Sequence, residues 1–143
     1  MKRVLLWAAR IGIAALFTHS AWTKLVDPEA FAQATANYRM LPDALVTATA
    51  LFLPWLELWC AMALLAVSPF RRAAWGLITA MMVVFTVAKV SALARGLDIA
   101  CGCTASDDPM TWLDVGENLL ILVPCVYGLA TDFRWSGVAR ATT

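Results

Sequence analysis

Two cysteines one residue apart, in Arg95-Gly-Leu-Asp-Ile-Ala-Cys101-Gly-Cys103, fall in a short polar connection between two long apolar runs. Thiols at this spacing join only if the chain folds tightly, because bridged α-carbons must come within about 7 Å. Gly102 permits that fold, since without a β-carbon it takes up a positive φ at no steric cost. The ring so closed is small and strained, and strained, exposed disulfides are the labile kind that engage in thiol exchange. Cationic neighbours favour the thiolate. His19, Lys24, Lys89 and Arg95 are all expected towards the same end of the molecule. Cys101 and Cys103 are therefore the candidate catalytic pair, with Cys103 nearer the start of the last helix. Gly102, Arg95, Lys24, Lys89 and His19 are candidates for loop and electrostatic support.

Two other uses of the pair stay open at this point. A permanent bridge would staple the turn, although closing so short a loop removes little chain entropy. Two thiolates also suit Cu(I) or Zn(II), but a closed zinc site wants about four ligands, and no four are adjacent in sequence. No metal ligand set is assigned. Cys60 and Cys125 lie inside two apolar runs at broadly similar depth, and could form a second, buried thiol pair or simply fill space.

The elements that position these residues are written in the hydropathy. The 143 residues are 62% hydrophobic and 15% charged, with a mean hydropathy of +0.73. Four runs reach the roughly twenty residues needed to cross a hydrocarbon layer: 4–22, 43–67, 72–94 and 112–130. The expected fold is all-α, a single integral membrane four-helix bundle over residues 1–143, with a Cys-Gly-Cys loop at 95–109. Arg10 and the length of the first run argue against a cleaved secretory signal. After that run, Asp27-Pro28 suits a helix cap and first position, and Ala30, Phe31, Ala34 and Tyr38 recur at helical spacing. They predict a short amphipathic surface helix ending at Met40-Leu41-Pro42. Asp107-Asp108-Pro109 reads as the start of the last helix, and Pro54 as a kink in the second span.

Lys2, Arg3, Arg71, Arg72, Arg134 and Arg140 flank one side of these runs, so both termini are expected in the cytoplasm and the cysteine loop outside it. That side is a compartment where thiols are commonly oxidised. The basic residues form no patch with interleaved aromatics, so nucleic acid is not an expected partner; the lipid bilayer is. Ala8-x-x-x-Gly12 suits packing within the bundle or between copies, which leaves the oligomer open.

Charges within the runs need partners, because an unpaired charge in hydrocarbon is costly. Depth counted at about 1.5 Å per residue pairs Arg10 with Glu57, and Lys89 with Glu117. Glu57 and Glu117 are also candidates for proton relay or quinone contact, against the plainer reading of holding the bundle together. His19 is either a proton carrier or a packed, hydrogen-bonded residue.

The order Lys24-x-x-Asp27-Pro28-x-x-Phe31, Tyr38-x-x-Leu41-Pro42, Pro54-x-x-Glu57 and Arg95-Gly-x-x-x-x-Cys101-Gly-Cys103 resembles the MauE branch of the DoxX-like membrane proteins. The resemblance covers essentially the whole chain. It implies a four-helix membrane protein associated with redox maturation of disulfide-containing secreted partners, working beside a thioredoxin-like protein, with a link to quinone reduction in the DoxX group. By this resemblance Cys101 and Cys103 take the redox position, Lys24 the basic position after the first span and Glu57 the acidic position in the second. Thr104-Ala105 follows the pair where the pattern gives Phe-Gly.

The expectation is thus a bacterial inner-membrane thiol–disulfide redox component, exchanging electrons between the Cys-Gly-Cys pair and a thioredoxin-fold or cysteine-rich secreted partner, with quinone as a candidate cofactor. A non-enzymatic maturation scaffold and a soft-metal handling protein are the competing readings.

Overall fold

A computed structural model of the chain describes residues 2–66, 68–97, 99 and 109–140, with only the backbone of residues 2, 3, 68 and 132–140. Five helices follow in order: α1 (Lys2–Val26), α2 (Pro28–Asn37), α3 (Asp43–Leu65), α4 (Ser68–Ala94) and α5 (Trp112–Arg140). Four of them carry stretches long and apolar enough to cross a membrane: Val4–Val26, Asp43–Leu65, Pro69–Ala94 and Trp112–Thr131. The molecule is an all-α membrane helical bundle. In it α1 packs on α3, α3 on α4, and α4 on α5, while α2 lies across α3 and the end of α1.

Each spanning helix is apolar nearly all round, so the inward face is marked by small and polar residues. In α3 the buried positions are Val46, Ala50, Pro54, Glu57, Cys60, Ala61 and Leu64, a stripe at three- and four-residue steps. Ala14, Ala21, Ala50, Ala61, Ala74 and Ala92 are buried along the contact lines. Lipid tails are as apolar as leucine, so close approach of backbones across such residues, rather than burial from water, holds spanning helices together. Outward-facing residues such as Leu120, Phe52 and Val123 are largely exposed and meet lipid.

The inner core gathers Ile13, Phe17, Cys60, Leu64, Trp75, Ile78 and Cys125 from all four spans. Trp75 is wholly buried against Gly128 of α5. A β-carbon at position 128 would lie 2.4 Å from Cζ2 of that indole, so only glycine lets α5 close on α4 here.

The surface helix α2 begins as its residues dictate: Asp27 caps it, its Oδ1 accepting from Ala30 N–H at 2.9 Å, with Pro28 in the first turn. Phe31, Ala34 and Tyr38 turn inward and are half-buried, whereas Ala30 is exposed. Arg39 ends the helix at φ +51, a left-handed conformation that costs a β-carbon-bearing residue about 1 kcal/mol. The last helix starts later than Asp107-Asp108-Pro109 suggests. Pro109 stands before the helix, and α5 opens at Trp112 behind a cap in which the Asp114 carboxylate accepts from Thr111 N–H at 2.7 Å and its hydroxyl at 2.9 Å. Asp107 and Asp108 lie outside the described residues.

Gly128→Ala is expected to lower stability by about 1–3 kcal/mol through overpacking against Trp75. Thermal melting of the detergent-solubilised protein checks this, and the loss should shrink in a Trp75→Leu background.

Candidate functional site at the loop end of the bundle

Apart from Arg10, the charged and amide side chains buried in the spans, Lys24, Glu57, Lys89 and Asn118, collect near the end where α2 lies. Lys24, in the last turn of α1, is 3% exposed and Glu57 of α3 is 1% exposed. Lys24 Nζ donates to both carboxylate oxygens of Glu57 at 2.9 Å, and also to Ser20 Oγ. The Phe31 ring of α2 closes over the ammonium at 5.2 Å, a cation–π contact. Every strong donor of the lysine is thereby used.

This overturns the expected Arg10–Glu57 pair. Arg10 lies about 21 Å along α1 from Lys24 and instead stacks its guanidinium on Trp7 at 5.3 Å. Counting α-carbon depths misses the true partner because helical side chains lean towards their own N-terminus. Lys24 reaches back one turn to Ser20, and Glu57, on the antiparallel α3, leans the opposite way. The two close a gap that α-carbon heights leave open. Lys24 is also not a free cation beside the thiols, since Glu57 neutralises it.

Lys89 of α4 is 4% exposed, and the expected pair with Glu117 does not form. Its ammonium donates to Asn118 Oδ1 at 3.1 Å and to the Asp114 carbonyl at 3.4 Å. Asn118 in turn donates to Thr86 Oγ1 at 3.5 Å. Glu117 and His19 are exposed. Both face a cavity of about 260 Å³ whose floor includes Glu57 and Lys89. A second cavity of about 220 Å³ lies beneath α2, lined by Phe31, Tyr38, Leu53, Val84 and Phe85 together with Lys24 and Lys89. Sequence reading passed over Ser20, Asp114 and Asn118. The signals were there: a serine four residues before a lysine, and an asparagine inside an apolar run.

Cys101, Gly102 and Cys103 lie outside the described residues. The feet of their loop do not. Gly96, at φ +67, and Leu97 close the end of α4 by donating to Leu93 and Ala92 carbonyls at 3.0 Å. Met110 N–H donates to the Ile99 carbonyl at 2.9 Å, bringing the two ends of the intervening segment together. Arg95, exposed, ties this base to α2 through a hydrogen bond from Nη2 to the Tyr38 carbonyl, and Tyr38 O–H contacts Met110 Sδ at 3.6 Å. Tyr38 thus touches both feet.

Cys60 and Cys125 are buried free thiols in the same apolar core cluster. Among the described residues, no three of His, Cys, Asp and Glu come together as a metal site.

Replacing Lys24 by Met leaves a buried carboxylate without its counter-charge, and a loss of about 3–5 kcal/mol is expected. Lys24→Met with Glu57→Leu should lose much less than the sum of the single replacements. Equilibrium unfolding in a double-mutant cycle measures the difference, and additive losses would contradict the pairing.

The chain matches the family described as Methylamine utilisation protein MauE over residues 2–131. It is 36% identical over 124 residues to the methylamine utilization protein MauE of Paracoccus denitrificans, covering 85% of this chain and 66% of that protein. It is likewise 36% identical over 135 residues to the protein of the same name from Methylophilus methylotrophus, covering 92% of this chain and 70% of that one. The chain therefore spans about two thirds of the length of these relatives. No solved structure matches. The family match takes in α1 to α4, the loop and the spanning part of α5, and on that extent the chain belongs to the MauE family.

Proposed function

We propose that this protein is a membrane thiol–disulfide redox component, in which Cys101 and Cys103 exchange electrons with a thioredoxin-fold or cysteine-bearing partner outside the cytoplasm. The reading puts it in the bacterial inner membrane with both termini cytoplasmic, an orientation that the distribution of Lys and Arg around the spans supports. Relatives bear the name methylamine utilization protein, and maturation of a secreted, disulfide-containing client of that process is the role this reading assigns. The DoxX-like character of the motif order belongs to the same reading.

The observation that carries it is the clamp at the base of the cysteine segment. Met110 to Ile99, Arg95 to Tyr38 and Tyr38 to Met110 hold both feet on α2. Feet fixed in this way limit how far a segment between them can stray, which lowers the entropy lost when a partner docks on it. The exchange itself balances as follows. A thiolate of the pair attacks one sulfur of the partner's disulfide, giving a mixed disulfide and a partner thiolate. The second cysteine then displaces the partner and closes Cys101–Cys103, so the partner gains the two electrons and two protons that the pair loses. The same steps in reverse oxidise the partner.

The apolar cavity beneath α2 suits a quinone ring in lining, with aromatic and branched walls and Lys24 and Lys89 among the residues around it. A quinone bound there would accept two electrons and two protons. The part played by this chain is to hold such a ring against Phe31, Tyr38 and Phe85.

Whole-cell trapping with Cys101→Ser or Cys103→Ser tests the chemistry and names the partner together. One of the two variants should accumulate a mixed disulfide with an extracytoplasmic protein, released by reductant. Correct client disulfides in the doubly replaced strain would instead favour a scaffold. Detaching the loop foot with Arg95→Met should slow formation of the adduct without abolishing it, as read from the rate of trapping.

A further inference from the structure

We infer that the cleft between α1 and α5 is a water-filled half-channel that carries protons between the loop end of the bundle and the Lys24–Glu57 pair. The cleft has a volume of about 260 Å³. Leu16, His19 and Ser20 form its α1 wall, one face at three- and four-residue steps. Asp114, Glu117, Asn118 and Ile121 form the α5 wall at the same steps.

Two of these groups are misplaced for lipid. By helix rise, His19 lies about 10 Å inside the end of α1 and Glu117 about 8 Å inside the start of α5, both within the apolar spans. Both are exposed, and among the described residues neither has a hydrogen-bond or ion-pair partner. A carboxylate facing hydrocarbon at that depth is costly, so the cleft that receives it must hold water. Its floor is polar as well: Glu57 and Lys89 lie there, and Asn118 joins Lys89 to Thr86. Polar groups therefore run from Asp114, at the cap of α5, inward to Glu57.

Charged and titratable groups surround Glu57 from each neighbouring helix: Lys24, bonded to it directly, and, lining the same cleft, His19 on α1, Lys89 on α4, Asp114 and Glu117 on α5. The pair at the inner end is built to accept a proton without breaking up. When hydronium gives its proton to a Glu57 oxygen and leaves as water, Lys24 retains Ser20 Oγ and the Ser20 carbonyl, at 3.4 Å, as acceptors, and Phe31 over its charge. The reverse transfer restores the ion pair. This conduction is independent of thiol chemistry.

The test uses the full chain in vesicles, in a Cys101→Ser, Cys103→Ser background where the remaining Cys60 and Cys125 are buried. A charged, membrane-impermeant methanethiosulfonate should label Leu16→Cys and Ile121→Cys at least about tenfold faster than the lipid-facing Leu120→Cys, because the reagent cannot enter hydrocarbon. An infrared carboxyl band induced by acid and absent from Glu57→Gln should rise several times more slowly once a benzyl group is attached at Leu16→Cys. Labelling no faster than at Leu120→Cys overturns the channel. A Glu57 band that is missing, or indifferent to the benzyl plug, overturns its role for protons.

Discussion

A lysine and a glutamate taken out of water and set in a membrane must find each other, and the loop end of this bundle is arranged around that requirement. Lys24 and Glu57 meet through two hydrogen bonds of 2.9 Å on side chains that are 3% and 1% exposed. Such a pair adds little net stability over an apolar substitute, because desolvation offsets most of the attraction. What it supplies is register. With one charge on α1 and its partner on α3, sliding either helix by a turn would strand both in hydrocarbon, an arrangement the membrane penalises heavily.

The pair also links the bilayer interior to the loop. Phe31 of α2 sits on the Lys24 ammonium, so α2 is held where the ion pair is. At the other end of α2, Tyr38 accepts from Arg95 and contacts Met110, the two feet of the cysteine segment. Arg39 turns left-handed just beyond, allowing the chain to leave α2 and start α3 near Pro42. Ion pair, surface helix and loop base therefore form one continuous assembly, flanked by an apolar cavity on the α2 side and a polar cleft between α1 and α5. Any group that binds in either cavity lies against Phe85 and Lys89, which line both.

The bundle and its surface helix were legible because their signals are local: apolar runs of spanning length, and an Asp-Pro start followed by inward residues at helical spacing. Charge partnership was not. Depth counting chose Arg10 for Glu57 because it treats each side chain as level with its α-carbon, whereas Lys24 reaches back to Ser20 and meets a carboxylate leaning the other way. The expected pairing of Lys89 with Glu117 failed for a different reason. The lysine's acceptors are a neutral amide and a backbone carbonyl, neither of which a search for opposite charge would select. The start of α5 was placed early because Asp108-Pro109 and Thr111-x-x-Asp114 are both start signals, and only the second makes the hydrogen bonds. Tyr38 was legible as an inward residue of α2, but its contacts with Arg95 and Met110 come from far along the chain.

The chain is a MauE family member whose segment between Ile99 and Met110 has its feet tied to each other and to the end of α2, and the proposed dithiol chemistry outside the membrane rests on the cysteines within that segment. Alkylation of Cys101 and Cys103 in intact cells with an impermeant maleimide, before and after mild reduction, is the most direct measurement of that account. Two added labels per chain after reduction, and none before it, is the predicted result. Sulfurs that no external reagent reaches in either state would contradict it.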